Sequence, residues 1–400
     1  RQFVKLATKV AIGSALFPGC AHKTKSKFQF RKISAQSDSY DYIVVGSGAG
    51  GGPVVARLVE AGFRVLLIEA GGSKSKSDIE IPAFHGLATE VEEFSWEFFV
   101  KHYEQNFFNQ SNSKYSKEND GIFYPRATGL GGCTNHNAMI TMYPDNEDWN
   151  YIKRLTNDSS WDASAMRKYF QKVENNQYYD EPHKSRSLMT LLNRERMGFK
   201  GWLSTEQTSP LFLLRDPKFI KVFLSALKEE GIINEAVDIL ADSKNIKLDP
   251  NTWSYVQNKL DGILNVPKAT SNGKRISTRD LILNIKKKYP ENLTIKTHTL
   301  AHKVIFDENN RAVGVEVVEN PSENNLYEAS PNYSKSFVKN KKTYKCHREV
   351  ILAGGVFNSP QILMLSGIGE VNELSKHGIE AKVSLPGVGK NLQDRYEISV

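Results

Sequence analysis

An α/β fold built on a parallel sheet is what this chain of 400 residues predicts, and three observations predict it. Residues Asp41–Gly72 run from an apolar β-branched strand through a glycine-rich turn into a helix and a second apolar strand. Far downstream, Glu349–Ala353 reads as a buried strand broken by Gly354-Gly355, a late return to the first sheet. Between them, helical periods and a hairpin pattern give a more irregular, mixed α+β region. The expected architecture is therefore a Rossmann-like domain with a second, smaller α+β part.

The first unit carries the strongest signal. Tyr42–Val45 is the strand, Gly46-Ser47-Gly48-Ala49-Gly50-Gly51 the turn, the helix follows from Pro53, and Arg64–Ile68 is the second strand, ending on Glu69. Each glycine meets a separate requirement: Gly46 turns the chain off the strand, Gly48 admits a pyrophosphate to the backbone, and Gly51 lets helix and sheet pack closely. Free amides and the positive dipole end at the helix start suit phosphates, and Glu69 can accept from a ribose diol. Strand, helix, strand and terminal acid in register make the pattern that of a dinucleotide site.

Further along, Ser73–Gly121 is aromatic-rich but irregular, with Asn106–Asp120 almost wholly polar; a long loop of this kind is usually a lid or edge cover. Asp162–Gln177 and Lys218–Glu230 read as amphipathic helices. Ile232–Leu264 has no clear period. Leu293–Lys296, Lys303–Phe306 and Ala312–Val318 read as strands, the last two joined by a turn at Asp307–Asn310, and Asn320–Lys342 as a polar excursion.

The formal charge of +8 does not mark a nucleic-acid binder, because residues 1–32 hold eight Lys and Arg and no acid, and so account for all of it. Basic residues before the short apolar run Val10–Pro18 predict an export signal over 1–21, with a Lys- and Ser-rich linker over 22–40. Arg1-Gln2-Phe3-Val4-Lys5 resembles the tail of a twin-arginine signal, with a Sec leader as the alternative; either places the protein outside the cytoplasm, periplasmic and with membrane association open, but without a transmembrane helix. Cys20, Cys133 and Cys346 are too scattered for a disulfide framework or a zinc site, and no metal is expected.

A second constellation, Tyr124-Pro-Arg-Ala-Thr-Gly-Leu-Gly-Gly-Cys-Thr-Asn-His-Asn-Ala-Met-Ile140, sets three glycines within four residues, backbone held against something flat or charged. Here the chain resembles the glucose–methanol–choline (GMC) oxidoreductases, whose first signature matches Gly131-Gly132-Cys133-Thr134 and Asn137, with departures at Thr128, Cys133 and His136 that resemble choline-oxidase-like members. Gly355–Gly369 resembles their second signature, departing only at Val356, and Leu385–Arg395 the element after it, with Arg395 where many members have His. Gly273-Lys-Arg-Ile-Ser-Thr278, Trp149 and Trp161 also stand in family order.

The resemblance implies FAD, with Gly46, Gly48, Gly51 and Glu69 at its ADP half. It puts Gly131, Gly132, Thr134, His136 and Asn137 at the flavin, and Ala301 at the adenine through its backbone. Arg126 is either a pyrophosphate contact or a solvated loop cation, and His136 either a covalent flavin attachment, a noncovalent contact or a packing imidazole. His298, His302 and His347 read as surface or satisfied histidines. The resemblance divides the chain into a cofactor domain over 41–150 and 268–400 and part of a substrate domain over 151–267, and it places the catalytic histidine beyond Val400, so no catalytic residue is named. It implies oxidation of a small alcohol at its CH–OH carbon by hydride transfer to flavin N5. Oxygen, a quinone or a cytochrome remain open as acceptor, and a lyase on the same scaffold or a noncatalytic FAD-binding protein are the alternative functions.

Overall fold

A computed structural model describes residues 39–73, 77–179, 192–208, 216–229, 249–259, 264–319 and 341–394. The chain separates into Arg1–Asp38 and Ser39–Val400, and everything described belongs to the second unit. The leader, nearly all of the linker, Cys20, Arg395, most of Asn320–Lys342 and most of Ile232–Leu264 lie outside the described residues.

Six strands form the main sheet: β1 (Ser39–Val45), β2 (Val65–Ile68), β3 (Leu293–Lys296), β4 (Thr299–Phe306), β5 (Ala312–Glu319) and β6 (Lys341–Leu352). Their order is β3-β2-β1-β6-β5-β4. The first four neighbours run parallel, and β5 and β4 are added antiparallel beyond β6. Parallel neighbours buried on both faces need continuous apolar runs, which Ile43-Val44-Val45 and Val65–Ile68 supply.

The period of two splits those runs between two cores. Tyr42, Val44, Val65, Leu67 and Leu293 face helices α1 (Gly51–Glu60) and α2 (Thr278–Lys288), meeting Val55, Leu58, Val59, Leu281 and Ile282. Ile43, Val45, Leu66 and Ile68 face the other way, against Val304, Val315, Val317, Tyr344 and Ile362, the last from helix α3 (Gly355–Leu365). A slip of one residue in β1 would exchange the two sets, so the register is strongly specified. Although β4 is at the far end of the strand order, His298 N–H donates to Gly71 O and Thr299 N–H to Glu69 O, each at 3.0 Å. The antiparallel extension thus curls back over the second face and brings Ala301 to the end of β2.

Several elements differ from expectation. Strand β4 begins at Thr299 rather than Lys303, and β6 begins at Lys341, inside the stretch read as a polar excursion, because only Tyr344 and Cys346 of its first half point inward. Helix Ala163–Val173 stops four residues early, since Glu174–Asn176 turns extended and pairs in parallel with Leu203–Thr205. The polar stretch Asn106–Asp120 contains a short helix, Asn106–Gln110; Asn109 is fully buried, its Oδ1 accepting from His102 N and Tyr103 N while its Nδ2 donates to Tyr103 O. That side chain supplies the hydrogen bonds a regular backbone would otherwise have to make.

In the region between, Tyr143, Trp253 and Val256 form a separate core with Trp149 and Phe170. Arg167 is wholly buried beside it, its Nη2 donating to Glu195 O at 2.8 Å and Asn251 O at 2.6 Å and its Nε to Arg196 O at 3.1 Å. Among the described residues no helix is long and apolar enough to cross a membrane, and no group of His, Cys, Asp and Glu is placed to hold a metal.

Candidate functional site

At the carboxyl ends of β1, β2 and β6, where the connections leave the sheet on opposite sides, lies a cleft of about 300 Å³. A crevice at such a switch point is where open α/β sheets bind ligands. Its floor is Gly46–Gly50 with Glu69 and Ala70; Ala353–Val356, Thr299–Ala301 and the Trp96, Arg126, Gly132 and Cys133 group form its walls.

The four turn glycines are not alike. Gly46 has φ +95°, and a Cβ there would stand 2.3 Å from Ala353 O; one on Gly51 would stand 1.9 Å from Gly46 O. Both serve the packing of turn, helix and sheet. Gly48 is different, since its Cβ would meet nothing nearer than Gly132 Cα at 4.0 Å, and Gly50 is as open, with Ala353 Cβ at 4.0 Å. The room that glycine leaves there opens on the cleft. Helix α1 starts directly behind, with Gly50 offering no side-chain cap to its first amides, an anion-binding arrangement.

The two glycine clusters meet through Ser47 and Glu69. Glu69 Oε2 accepts from Ser47 N–H at 3.1 Å and Ser47 Oγ–H at 2.5 Å, and Oε1 from Gly71 N–H at 3.2 Å and Gly129 N–H at 3.1 Å. Ser47 Oγ in turn accepts from Gly131 N–H at 2.9 Å. Burial pushes the Glu69 carboxyl up, and these same donors oppose it. Glu69 therefore lines the cleft, but its carboxylate is already occupied by the loops on either side.

Gly131 (φ +107°) and Gly132 (φ +51°) both take left-handed backbone, and a Cβ on Gly132 would stand 3.0 Å from Gly48 Cα. Thr134 donates to Gly131 O at 2.6 Å and lies 3.0 Å from the Thr278 hydroxyl. His136 is buried at the end of the turn Gly132–Asn135, outside the cleft lining, and its imidazole is held down at about 4 by burial, then by Arg126 and Arg275. It is a neutral ring at pH 7. Asn137 is exposed, its Oδ1 taking Arg275 Nη1–H at 2.8 Å. Arg126 lines the cleft with its guanidinium 4.4 Å from the Tyr124 ring centroid and Nη2 donating to Tyr124 Oη at 2.9 Å. Ala301 lines it opposite and is nearly buried. His302 pairs with Glu316 and His347 with Ser39.

Sequence reasoning assigned no role to Ser47, Trp96, Arg275 or Thr278. Ser47 sits inside the glycine pattern, whose intervening positions the motif leaves unspecified. Arg275 and Thr278 lie in the Gly273–Thr278 segment, noticed for its order alone. Thr278 Oγ lies 3.0 Å from Ser47 O and 3.1 Å from Gly131 O, so it too joins the clusters. Trp96 carried no signal within an irregular stretch.

A mainly parallel sheet, an uncapped helix start over a glycine floor and a cleft at the switch point are the architecture of a dinucleotide-binding domain. The chain belongs to the GMC oxidoreductase family, which it matches over residues 40–397, and GMC oxidoreductases bind FAD. It is 29% identical over 358 residues to an oxygen-dependent choline dehydrogenase of Rhizobium etli, covering 89% of this chain and 53% of that protein. With the Brucella anthropi enzyme of the same name the identity is 28% over 364 residues, 90% of this chain and 53% of that one. The chain thus spans about half the length of the curated relatives it matches. Pyridoxine 4-oxidase from Mesorbium loti shares the fold with a TM-score of 0.63 at 20% identity, over 86% of this chain and 55% of that one. For the Aspergillus oryzae formate oxidase the TM-score is 0.61 at 21% identity, over 86% and 50%.

Proposed function

We propose that this chain forms the FAD site of an oxidoreductase that oxidises the CH–OH group of a small alcohol. The observation that carries the reading is the contrast at the turn: Gly46 and Gly51 are closed in by the protein, whereas Gly48 is open by 4.0 Å toward the cleft. A glycine in the floor of a cleft, where the fold has room for a side chain, leaves the backbone open to the close approach of a ligand. In this reading Gly46–Gly51 and the start of α1 hold the pyrophosphate, with Arg126 above it. Glu69 frames the ribose end by fixing Ser47 and Gly129, and the backbone at Ala301 meets the adenine. Gly131, Gly132, Thr134, His136 and Asn137 hold the flavin. When bound, FAD supplies the hydride acceptor; the chain's part is to orient it and exclude water. The choline dehydrogenase relatives support an alcohol substrate. The acceptor is proposed from oxygen, a quinone or a cytochrome.

The full-length protein as purified should carry FAD near one per chain, and anaerobic addition of its alcohol should bleach the flavin. Protein that takes up no FAD refutes the site; FAD bound and bleached by no alcohol in a broad panel refutes the oxidation and leaves the lyase or noncatalytic reading. The reading extends to a covalent bond from His136 to the flavin 8-methyl carbon, which would give up a proton while the electron pair of its C–H bond passed into the flavin and on to the electron acceptor; a ring that keeps its lone pair free of a proton supports it. Acid precipitation tests it: flavin released wholly into the supernatant rules the bond out. Export is proposed from the eight cations before residue 33, and disabling the twin-arginine translocase should then leave flavin-loaded protein in the cytoplasm.

A further inference from the structure

We propose that Arg275 is the positioning residue of the Thr134–Asn137 loop, fixing the Asn137 amide so that its NH₂ group stands as a hydrogen-bond donor for the flavin. The proposal rests on the assignment of that loop to the flavin.

Arg275 lies on the short strand Lys274–Arg275 and is 6% exposed. Its Nε donates to Ile79 O at 2.7 Å, and its Nη1 to Thr134 O at 3.1 Å and to Asn137 Oδ1 at 2.8 Å. One planar group therefore ties three points of chain together, two of them the ends of the loop that contains His136. A guanidinium has donors only, and the second partner of Asn137 Oδ1 is the Met139 N–H at 3.1 Å. Two donors can face only an oxygen. The amide orientation, usually ambiguous between oxygen and nitrogen, is thereby fixed, and the NH₂ is turned away from Arg275 on an exposed residue.

The choice of a cation here is costly. Burial pulls the guanidinium down to about 10, carbonyl oxygens rather than a carboxylate solvate it, and its Nη2 is buried with no hydrogen-bond partner. An apolar side chain would fill such a site at less expense in stability. Arginine is explained if the geometry of its fork matters more than its charge. Three residues on, Thr278 reaches Ser47 O and Gly131 O, so the same segment holds the flavin-side loop and the pyrophosphate-side turn in one frame.

FAD binding to the FAD-free full chain, followed by quenching of flavin fluorescence, tests this in Arg275→Ala, Arg275→Lys, Asn137→Ala and the double variant Arg275→Ala/Asn137→Ala. Arg275→Ala and Asn137→Ala should each weaken FAD about tenfold, the scale of one charge-assisted or buried hydrogen bond, and the double variant should be no weaker than the worse single one. Arg275→Lys keeps the charge and loses the fork, so it should leave the titration of His136 where it is while binding FAD about tenfold more weakly. Wild-type FAD affinity in Arg275→Lys, or additive losses in the double variant, overturns the proposal; if Arg275→Ala does not fold, the Lys result decides. If the wild type itself binds no FAD, the flavin assignment fails, and nuclear magnetic resonance of the Asn137 side-chain amide still judges the clamp. Its resonances should move in Arg275→Ala, which removes the donor to Asn137 Oδ1, and unmoved resonances overturn the contact.

Discussion

Adding one methyl group at Gly48 separates the protein's own needs from those of the cofactor. Gly48 has no left-handed backbone, and its Cβ would meet only Gly132 Cα at 4.0 Å, ordinary van der Waals contact. Gly48→Ala should therefore cost the fold nothing and gain it about 0.5 kcal/mol, because alanine has less unfolded freedom to lose. The same methyl projects into the space a pyrophosphate would occupy and pushes it off the amides behind it. Losing one charge-assisted amide bond costs about 1.5–3 kcal/mol, which is roughly 10- to 150-fold in affinity. Gly51→Ala is the internal control, since its Cβ would sit 1.9 Å from Gly46 O and must displace backbone; about 3 kcal/mol or more of stability should be lost there. Thermal unfolding of the FAD-free variants and equilibrium titration with FAD measure both quantities. Gly48→Ala with wild-type FAD affinity would refute the reasoning, and so would a Gly48→Ala chain that is destabilised before any FAD is added.

Two further outcomes follow from the buried carboxylates. Glu69→Gln turns an NH₂ toward either the Ser47 or the Gly71 and Gly129 donors, so at least one donor–donor clash is unavoidable; about 2–4 kcal/mol of stability should be lost in chemical denaturation, and an unchanged midpoint would show that the junction is idle. Burial above all, against the Gly198 N–H and the Arg167 charge, holds the Glu174 carboxyl at about 7 instead of its ordinary 4.5. The folded state keeps that proton more tightly than the unfolded one. The contribution is therefore full below about pH 4.5 and is lost as pH rises through 7, a span of about 3 kcal/mol. Unfolding midpoints at pH 5 and pH 8 should differ less in Glu174→Gln than in wild type, leaving the smaller slope of Asp249, which burial raises to about 6; equal slopes would remove Glu174 as its source.

The parts legible in the sequence are those whose physics is local. Ile43-Val44-Val45 and Val65–Ile68 are buried on both faces, so their continuous apolar runs name them as central strands without any knowledge of their neighbours. Gly46 and Gly51 are demanded by contacts within the same thirty-residue unit or with the strand beside it. What stayed hidden depends on partners distant in the chain. Ser47 is one unremarkable residue in a turn until Gly131, 84 positions on, donates to it. Arg275 meets Thr134 and Asn137 across 141 and 138 positions, and no spacing rule reaches that far. The first half of strand β6 is hidden for another reason: Lys341, Lys342, Thr343 and Lys345 face solvent on a curled sheet, and a half-buried strand so rich in lysine looks like a loop.

Glu69 shows how the site differs from the sum of its two motifs. An acid closing the second strand reads as a ribose acceptor when only the strand and the first glycines are considered. In the folded chain it is a buried carboxylate that takes two donors from Ser47 and one each from Gly71 and Gly129. Burial pushes the pKa of this carboxyl up, and fixed dipoles are what hold it beside the proposed seat of a pyrophosphate. The uncapped start of α1 and the surrounding loop amides provide those dipoles, and Glu69 holds part of that loop in place. The two glycine clusters, about 80 residues apart, are thus one hydrogen-bonded surface, and a change that loosens either should be felt by whatever rests on both.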